Sequence, residues 1–337
     1  MGSKVTGIEY EFASKSIDNN FFKTQFPEYN FERFEKKVGI KNRFICDENE
    51  NIITLALKSC RKLFKNSSID KTNIEFLILC TQSPEYYIPS NSCILQDKLG
   101  LKNCVGSFDF NLGCSGYVYG LSIAKGLIES GQVKNVLLVT SETYSKYINK
   151  KDLINQLIFS DASTATLIEK SNSKDINNFI FGTDGSGFDK LIVKNNFFNK
   201  EINPEYQCYA KINYYNDNNL YMDGPSIFNF TTQNIPKLLE DILKKNNLKK
   251  EDVDYYIPHQ ANKFLLNSIR KLANIDEHRF IIDLENYGNT VSGTIPISLK
   301  NVSLKSKKSK KSKKIVLCGF GVGLSWSACS IKINSSL

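Results

Sequence analysis

The chain has 337 residues, 41% of them hydrophobic, enough to bury one large core or two fused ones. It holds no run of about 18 apolar residues, which excludes a helical membrane span, and no Cys-x-x-Cys and only two histidines, which excludes a structural zinc site of the usual kind. The net charge of +9 is local: residues 305–314 hold seven lysines, and 44 basic residues less 7 leaves 37 against 35 acidic ones. That run carries no aromatic residue for base stacking, so it reads as a solvated loop and not as a nucleic-acid surface. Nine cysteines, an odd number, with no apolar signal region after Met1, predict reduced thiols in a cytoplasmic protein. Nothing in the composition asks for a metal or a cofactor.

In chain order, the pattern predicts a strand at 5–10, then a polar, aromatic-rich segment ending in Gly39-Ile40-Lys41-Asn42-Arg43. A helix is expected at 52–64, a strand buried on both faces at 74–80, and a helix at 94–99 after Pro89-Ser90. Phe108, Phe110 and Leu112 alternate with polar residues as in a strand, and Gly113-Cys114-Ser115-Gly116 is a tight turn. Val118, Leu121, Ala124, Leu127 and Ile128 then recur at helical spacing. Strands follow at 133–140 and 159–168.

The second half repeats the order. A helix at 235–246 precedes a strand at 253–257 that stops at Pro258. Another helix at 263–272 leads to a strand-like 280–283. The glycine turn at 287–290 opens a helix through 299, and strands are expected at 315–320 and 324–333. The segment 188–220, rich in Asn and aromatics, reads as an inserted loop or hairpin. Element order alone therefore predicts two similar α/β halves, 1–170 carrying the cysteine turn and 171–337.

A cysteine at a strand-to-helix turn meets unpaired backbone N–H groups and the positive end of a helix, a setting that lowers a thiol pKa and favours a nucleophilic thiolate. Free cysteines are more often small core hydrophobes, so Cys114 needs partners. His259 in Pro258-His259-Gln260-Ala261-Asn262 directly follows a buried strand, where ligand sites of α/β sheets gather; His278 lies in a charged run and is expected on the surface. Asn289 stands in Tyr287-Gly288-Asn289-Thr290, and Gly319-Phe320-Gly321-Val322-Gly323 offers backbone donors suited to an oxyanion pocket.

The ordered set of Asn-x-Gly-Cys-Ser-Gly, Met222-Asp223-Gly224, Pro-His-Gln-Ala-Asn, Tyr-Gly-Asn-Thr and Gly-Phe-Gly-x-Gly resembles the ketoacyl-ACP synthase III family of the thiolase fold, along essentially the whole chain. The resemblance implies a layered αβαβα sandwich, with the His/Asn pair in the second half, and a ping-pong acyltransferase that makes 3-oxoacyl-ACP for fatty acid biosynthesis. Cys114 would accept the acyl group from acyl-CoA or acyl-ACP. His259 and Asn289 would hold the thioester carbonyl of malonyl-ACP with neutral donors while carbon dioxide leaves. The amides of Cys114 and Val322 would form a second oxyanion hole, and Gly224, Phe228 and Asn262 would line the pantetheine channel. Ile88 would floor the acyl pocket across a homodimer interface, and Arg43 of Gly-Ile-x-x-Arg would belong to the substrate-binding set.

Decarboxylation needs donors more than a strong base, because no proton is abstracted. Glu85 and Glu142, the nearest acids in sequence to the site, match no catalytic base by motif. Where family members grip coenzyme A with a tryptophan and an arginine, this chain has Arg33 and Lys37, which tilts the acyl donor toward a carrier protein. Carrier docking is partly matched, by Lys263, Arg270 and Lys271 but with Asn229 at another such place, and the 305–314 lysine run would add a positive field. The rival readings are acyl transfer to a hydroxyl or amine, and a partner subunit without catalysis.

Overall fold

Apolar runs of β-branched and leucine residues become sheet strands that are covered on both faces. The computed structural model describes residues 1–194, 218–305, 311–333 and 337; most of the 188–220 insertion and half of the lysine run lie outside them. The strands are β1 (Gly2–Phe12), β2 (Lys15–Asp18), β3 (Asn42–Ile45), β4 (Phe76–Cys80), β5 (Gly106–Phe110), β6 (Asn135–Glu142) and β7 (Ala162–Ser171), followed by β8 (Ile176–Thr183), β9 (Leu191–Ile192), β10 (Tyr221–Met222), β11 (Tyr255–Pro258), β12 (Lys313–Gly321) and β13 (Ser325–Ile333). The helices are α1 (Asn20–Lys23), α2 (Phe31–Val38), α3 (Ile52–Asn66), α4 (Asn91–Leu99) and α5 (Gly116–Glu129), then α6 (Leu153–Ile158), α7 (Gly224–Lys245), α8 (Lys263–Leu272) and α9 (Thr294–Lys305).

Two large sheets organise the molecule. The first runs β1-β7-β6-β4-β5 and the second β11-β12-β13-β8. In the first, β5, β4 and β6 are parallel, while β7 is antiparallel to β6 and β1 to β7. In the second, β11 and β12 are parallel, β13 is antiparallel to β12, and β8 to β13. Strand order and direction thus repeat from one sheet to the other.

The period-two alternation of each strand decides what it touches. In β4, Leu77 and Leu79 face out and pack with Ile53, Ala56 and Leu63 of α3 and Leu95 of α4. Ile78 faces in, against Leu121 and Ala124 of α5 and Ile295 and Leu299 of α9. From the other side, Ile315 and Leu317 of β12 meet the same two helices, while Val316 and Cys318 turn out toward Ile235 and Leu239 of α7 and Leu265 of α8. The layers are therefore helix, sheet, helix pair, sheet, helix, as the thiolase-like reading expects.

Two local expectations are corrected, and some strands are added. The helix placed at 235–246 starts eleven residues earlier, because Asp223 caps it by accepting from the Ser226 amide at 3.1 Å and the helix continues through Pro236. Residues 280–283 form no strand: Tyr256 and Phe280 make a single parallel bridge. The Gln260 side chain takes the backbone groups a ladder would use, accepting from Asp283 N–H at 2.7 Å and donating to the Ile281 carbonyl at 3.2 Å. Strand β8 and the short pair β2–β3 were not anticipated, since their polar, mixed sequences lack a clean alternation.

Leu121 has no solvent exposure in the middle layer. Leu121→Ala should destabilise the fold by roughly 2–5 kcal/mol, since neither flanking sheet can collapse into the void; urea unfolding would measure it, and a loss under about 1 kcal/mol would contradict the layering.

Candidate active site

The site is built where parallel strands of both sheets end. After β5 the chain makes the turn from Gly113 to Gly116, in which Gly116 N–H donates to the Gly113 carbonyl at 2.8 Å, and α5 begins directly behind Cys114. After β11 comes His259, whose amide donates to the Cys318 carbonyl of the neighbouring β12 at 2.7 Å. Asn289 is fixed by two backbone bonds to the 158–160 segment: its amide donates to the Ile158 carbonyl at 2.9 Å and its carbonyl accepts from Ser160 N–H at 2.9 Å.

Cys114, His259 and Asn289, separated by 145 and 175 positions from the cysteine, line one cavity of about 430 Å³. All three are buried. Gly224, Phe228 and Asn262 line the same cavity, along with Ile158, Phe159, Leu191 and Met222. Its apolar walls with a few convergent polar groups are those of a small-molecule site. At its edge Lys37 holds its ammonium 4.7 Å from the centre of the Phe264 ring, which stacks on Phe228.

The glycine loop closes the cavity over the sulfur. A Cβ on Gly321 would lie 3.1 Å from Cys114 Sγ, and one on Gly319 would lie 2.8 Å from the Cys114 carbonyl oxygen, so only glycine lets β12 approach the turn this closely. Gly321 lines the cavity; Val322 is not among its lining residues, and its carbonyl accepts from Ser325 Oγ at 2.7 Å. Ser325 in turn pairs with Ser115 at 2.7 Å, stitching the loop to the start of α5.

Two expected binding residues stand elsewhere. Arg43 is fully buried away from the cavity, donating to Asn19 and lying 5.6 Å over the Phe22 ring; burial pulls its pKa down to about 10. Ile88 is 89% exposed, outside the cavity of its own chain. Arg33 is exposed as well, while Lys37 reaches the cavity.

The electrostatics modify the thiolate expectation. Burial pushes the Cys114 thiol well above its ordinary range, and the nearby negative charge of Glu142 pushes the same way. A backbone hydrogen bond at Cys114 opposes this, and the net direction favours the neutral thiol at rest. Burial pulls His259 down to about 3, so its imidazole is neutral. Its Nδ1 lies 2.7 Å from Thr294 Oγ1, whose hydroxyl donates to the Val291 carbonyl at 3.0 Å. When the Thr294 hydrogen points to Nδ1, the ring carries its own hydrogen on Nε2. Burial pushes Glu142 up to about 7. Thr294 and Glu142 were not assigned a role from sequence, because a lone threonine five positions after Asn289 and a lone acid at a strand end carry no motif.

Residues 108–185 match the family described as 3-oxoacyl-[acyl-carrier-protein (ACP)] synthase III, and residues 243–333 match its C-terminal part. A beta-ketoacyl-[acyl-carrier-protein] synthase III of Clostridium perfringens is 34% identical over 326 residues, 96% of this chain and 97% of its own. The chain belongs to the ketoacyl-ACP synthase III family. A crystal structure of a 3-oxoacyl-(acyl-carrier-protein) synthase III superposes with a TM-score of 0.92 at 34% identity, covering 99% of this chain and 100% of that one. A 3-oxoacyl-(acyl-carrier protein) synthase from Burkholderia xenovorans LB400 gives 0.93 at 31%, covering 100% and 95%. Membership makes the chain a condensing acyltransferase of the thiolase fold, of the kind that serves fatty acid biosynthesis. No helix among the described residues is long and apolar enough to cross a membrane.

The buried neutral imidazole has a consequence for stability. Between its native value near 3 and the ordinary 6.5, the unfolded chain binds a proton at His259 that the native chain refuses. Stability from this group is complete above about pH 6.5 and falls as pH drops toward 3, by up to ~1.4 kcal/mol per pH unit. Urea midpoints at pH 7 and pH 5 should therefore fall more steeply for the native chain than for His259→Gln; equal slopes would contradict a buried neutral histidine.

Proposed function

We propose that the chain condenses an acyl thioester with malonyl-ACP by way of an acyl-enzyme at Cys114, with His259 and Asn289 as the donors for the malonyl thioester. The observation that carries this reading is that a thiol, a neutral imidazole and a carboxamide line one apolar cavity. In the first half-reaction the Cys114 sulfur attacks the acyl carbonyl, the carrier thiol leaves with the cysteine's proton, and the Cys114 amide at the start of α5 faces the developing oxyanion. A positive helix end is most valuable there, because charge on the buried sulfur and oxygen exists only in passing.

In the second half-reaction the malonyl carboxylate departs as carbon dioxide, and the electron pair it leaves becomes an enolate. Neutral N–H donors of His259 Nε2 and the Asn289 side-chain amide stabilise that enolate, whose carbon attacks the acyl-cysteine. Release of 3-oxoacyl-ACP takes up one proton and restores the thiol. For His259 to donate from Nε2, Thr294 must turn its hydrogen from the Val291 carbonyl to Nδ1. The Asn289 oxygen already accepts from Val291 N–H at 2.8 Å, which leaves its NH₂ group for the substrate. Val322 would add the second amide of the Cys114 oxyanion hole. Gly224, Phe228 and Asn262, which share the cavity with the three reactive side chains, would line the pantetheine arm.

Family membership favours condensation over transfer to a hydroxyl or amine, and over a subunit without catalysis. Lys37 beside Phe264 supports binding of an anionic arm, carrier-bound or coenzyme A; Lys263 and Lys271, both exposed, would serve an acidic carrier. Arg43 would act on substrate only indirectly, through the packing of the 15–45 region. Residues 1–170 and 171–337 would be two versions of one α/β unit, as their matching sheets suggest, and the cytoplasm would be the site of action.

The test follows each half-reaction on the intact protein. Cys114→Ala should lose acyl-adduct formation by mass spectrometry. His259→Ala should form the adduct yet release carbon dioxide from malonyl-ACP at least about 100-fold more slowly, and Thr294→Val about 10-fold more slowly, with Thr294→Ser near native. An adduct that survives Cys114→Ala would overturn the assignment.

A homodimer is part of the same proposal. Tyr86 (53%), Tyr87 (65%) and Ile88 (89%) stand exposed on consecutive positions, an apolar edge that a second copy would cover while Ile88 reaches the partner's acyl pocket. Sedimentation should give twice the 38.3 kDa chain mass, and Ile88→Asp should shift the protein toward monomer; a native chain that sediments as a monomer would refute the dimer.

A further inference from the structure

Glu142 has no part in the chemistry above, yet its carboxyl group joins the turns that carry it. It ends β6 with no exposure to solvent. Oε2 accepts from the Gln82 amide at 3.0 Å and from Ser83 Oγ at 3.0 Å, while Oε1 accepts from Ser292 Oγ at 2.7 Å. Gln82 and Ser83 follow β4 in the first half; Ser292 sits in the turn between Asn289 and α9 in the second.

Each end of this bridge leads to a reactive group. The Gln82 side-chain oxygen, which accepts from Tyr144 Oη, packs so closely on Gly113 that a Cβ there would overlap it; Gly113 immediately precedes Cys114. At the other end, the Val291 amide donates to Asn289 Oδ1 and the Val291 carbonyl lies within hydrogen-bond distance of Thr294 Oγ1, the partner of His259. Val291 adopts φ of +55° while fully buried. A β-branched residue in that region is strained and persists only where its surroundings hold it. Ser292, the next residue, is anchored by Glu142.

We propose that Glu142 is a positioning residue for condensation: through Ser292 it holds the 289–294 turn in register with the Cys114 turn, so that the donor pair faces the acyl-cysteine. Acylation needs the Cys114 turn and the glycine loop over it; condensation needs the 289–294 turn in register as well. Loss of the anchor therefore affects the second half-reaction and spares the first.

The inference rests on the assignment of His259 and Asn289 to the malonyl side, and the full-length protein tests both. Ser292→Ala should lower the turnover of condensation about 10- to 100-fold while Cys114 acylation and the malonyl-ACP KM stay within about threefold. Ser292→Thr, which keeps the hydroxyl, should recover most of the turnover. Glu142→Gln, which also disturbs the Gln82 and Ser83 contacts, should slow condensation at least as much as Ser292→Ala, and the double variant should be no slower than Glu142→Gln, because Ser292 acts through that carboxyl group. Should Glu142→Gln fail to fold, the Ser292 pair decides alone. If Asn289→Ala condenses at the native rate, the donor assignment has failed. If Asn289→Ala blocks condensation but Ser292→Ala slows both half-reactions equally, or neither, this inference alone has failed.

Discussion

A helix buried between two sheets must bring its unpaired N-terminal amides to a place where something can use them. This molecule has two such helices, α5 and α9, packed side by side in the middle layer. The turn before α5 carries Cys114; the turn before α9 carries Asn289 and ends on Thr294. The strands that support those turns, β4, β5 and β6 on one side and β11 and β12 on the other, all end toward the same cavity. The proposed chemistry is therefore located by the packing of the two central helices, and the side chains refine a place the backbone has already chosen.

Burial gives that place its character. It keeps His259 neutral, raises the Cys114 thiol, and raises Glu142 to about 7. A neutral imidazole and a neutral thiol suit a reaction whose charges are transient: an oxyanion, then an enolate. The fixed dipoles around them are aligned before substrate arrives and reorganise little when charge develops.

Much of this was legible from residues. The apolar runs of β4, β6 and β12 and the helical spacing of α5 reflect burial on both sides, the strongest signal a sequence carries. That Cys114, His259 and Asn289 would share one cavity was readable because each lies in a short motif at an element boundary. What escaped depended on distant partners. No local pattern says that Gln260 will occupy the backbone groups of residues 281 and 283; the early start of α7 is the exception, a local signal in Asp223 and Pro225 that the apolar spacing alone passes over. Burial pushes the Cys114 thiol in the direction opposite to the expected lowering: a turn at a helix end is visible in sequence, but the depth at which the fold places the sulfur is not.

The contact of β12 with the cysteine turn carries a last consequence. Gly319 and Gly321 belong to the second sheet, yet the atoms a methyl group would strike at either position are those of Cys114 and Ser115. Each half of the chain thus forms the wall that shapes the other's reactive loop. Neither half can drift in sequence at these points without an answering change in the other, and a piece of the polypeptide cut between β7 and β8 would carry its functional groups facing open water.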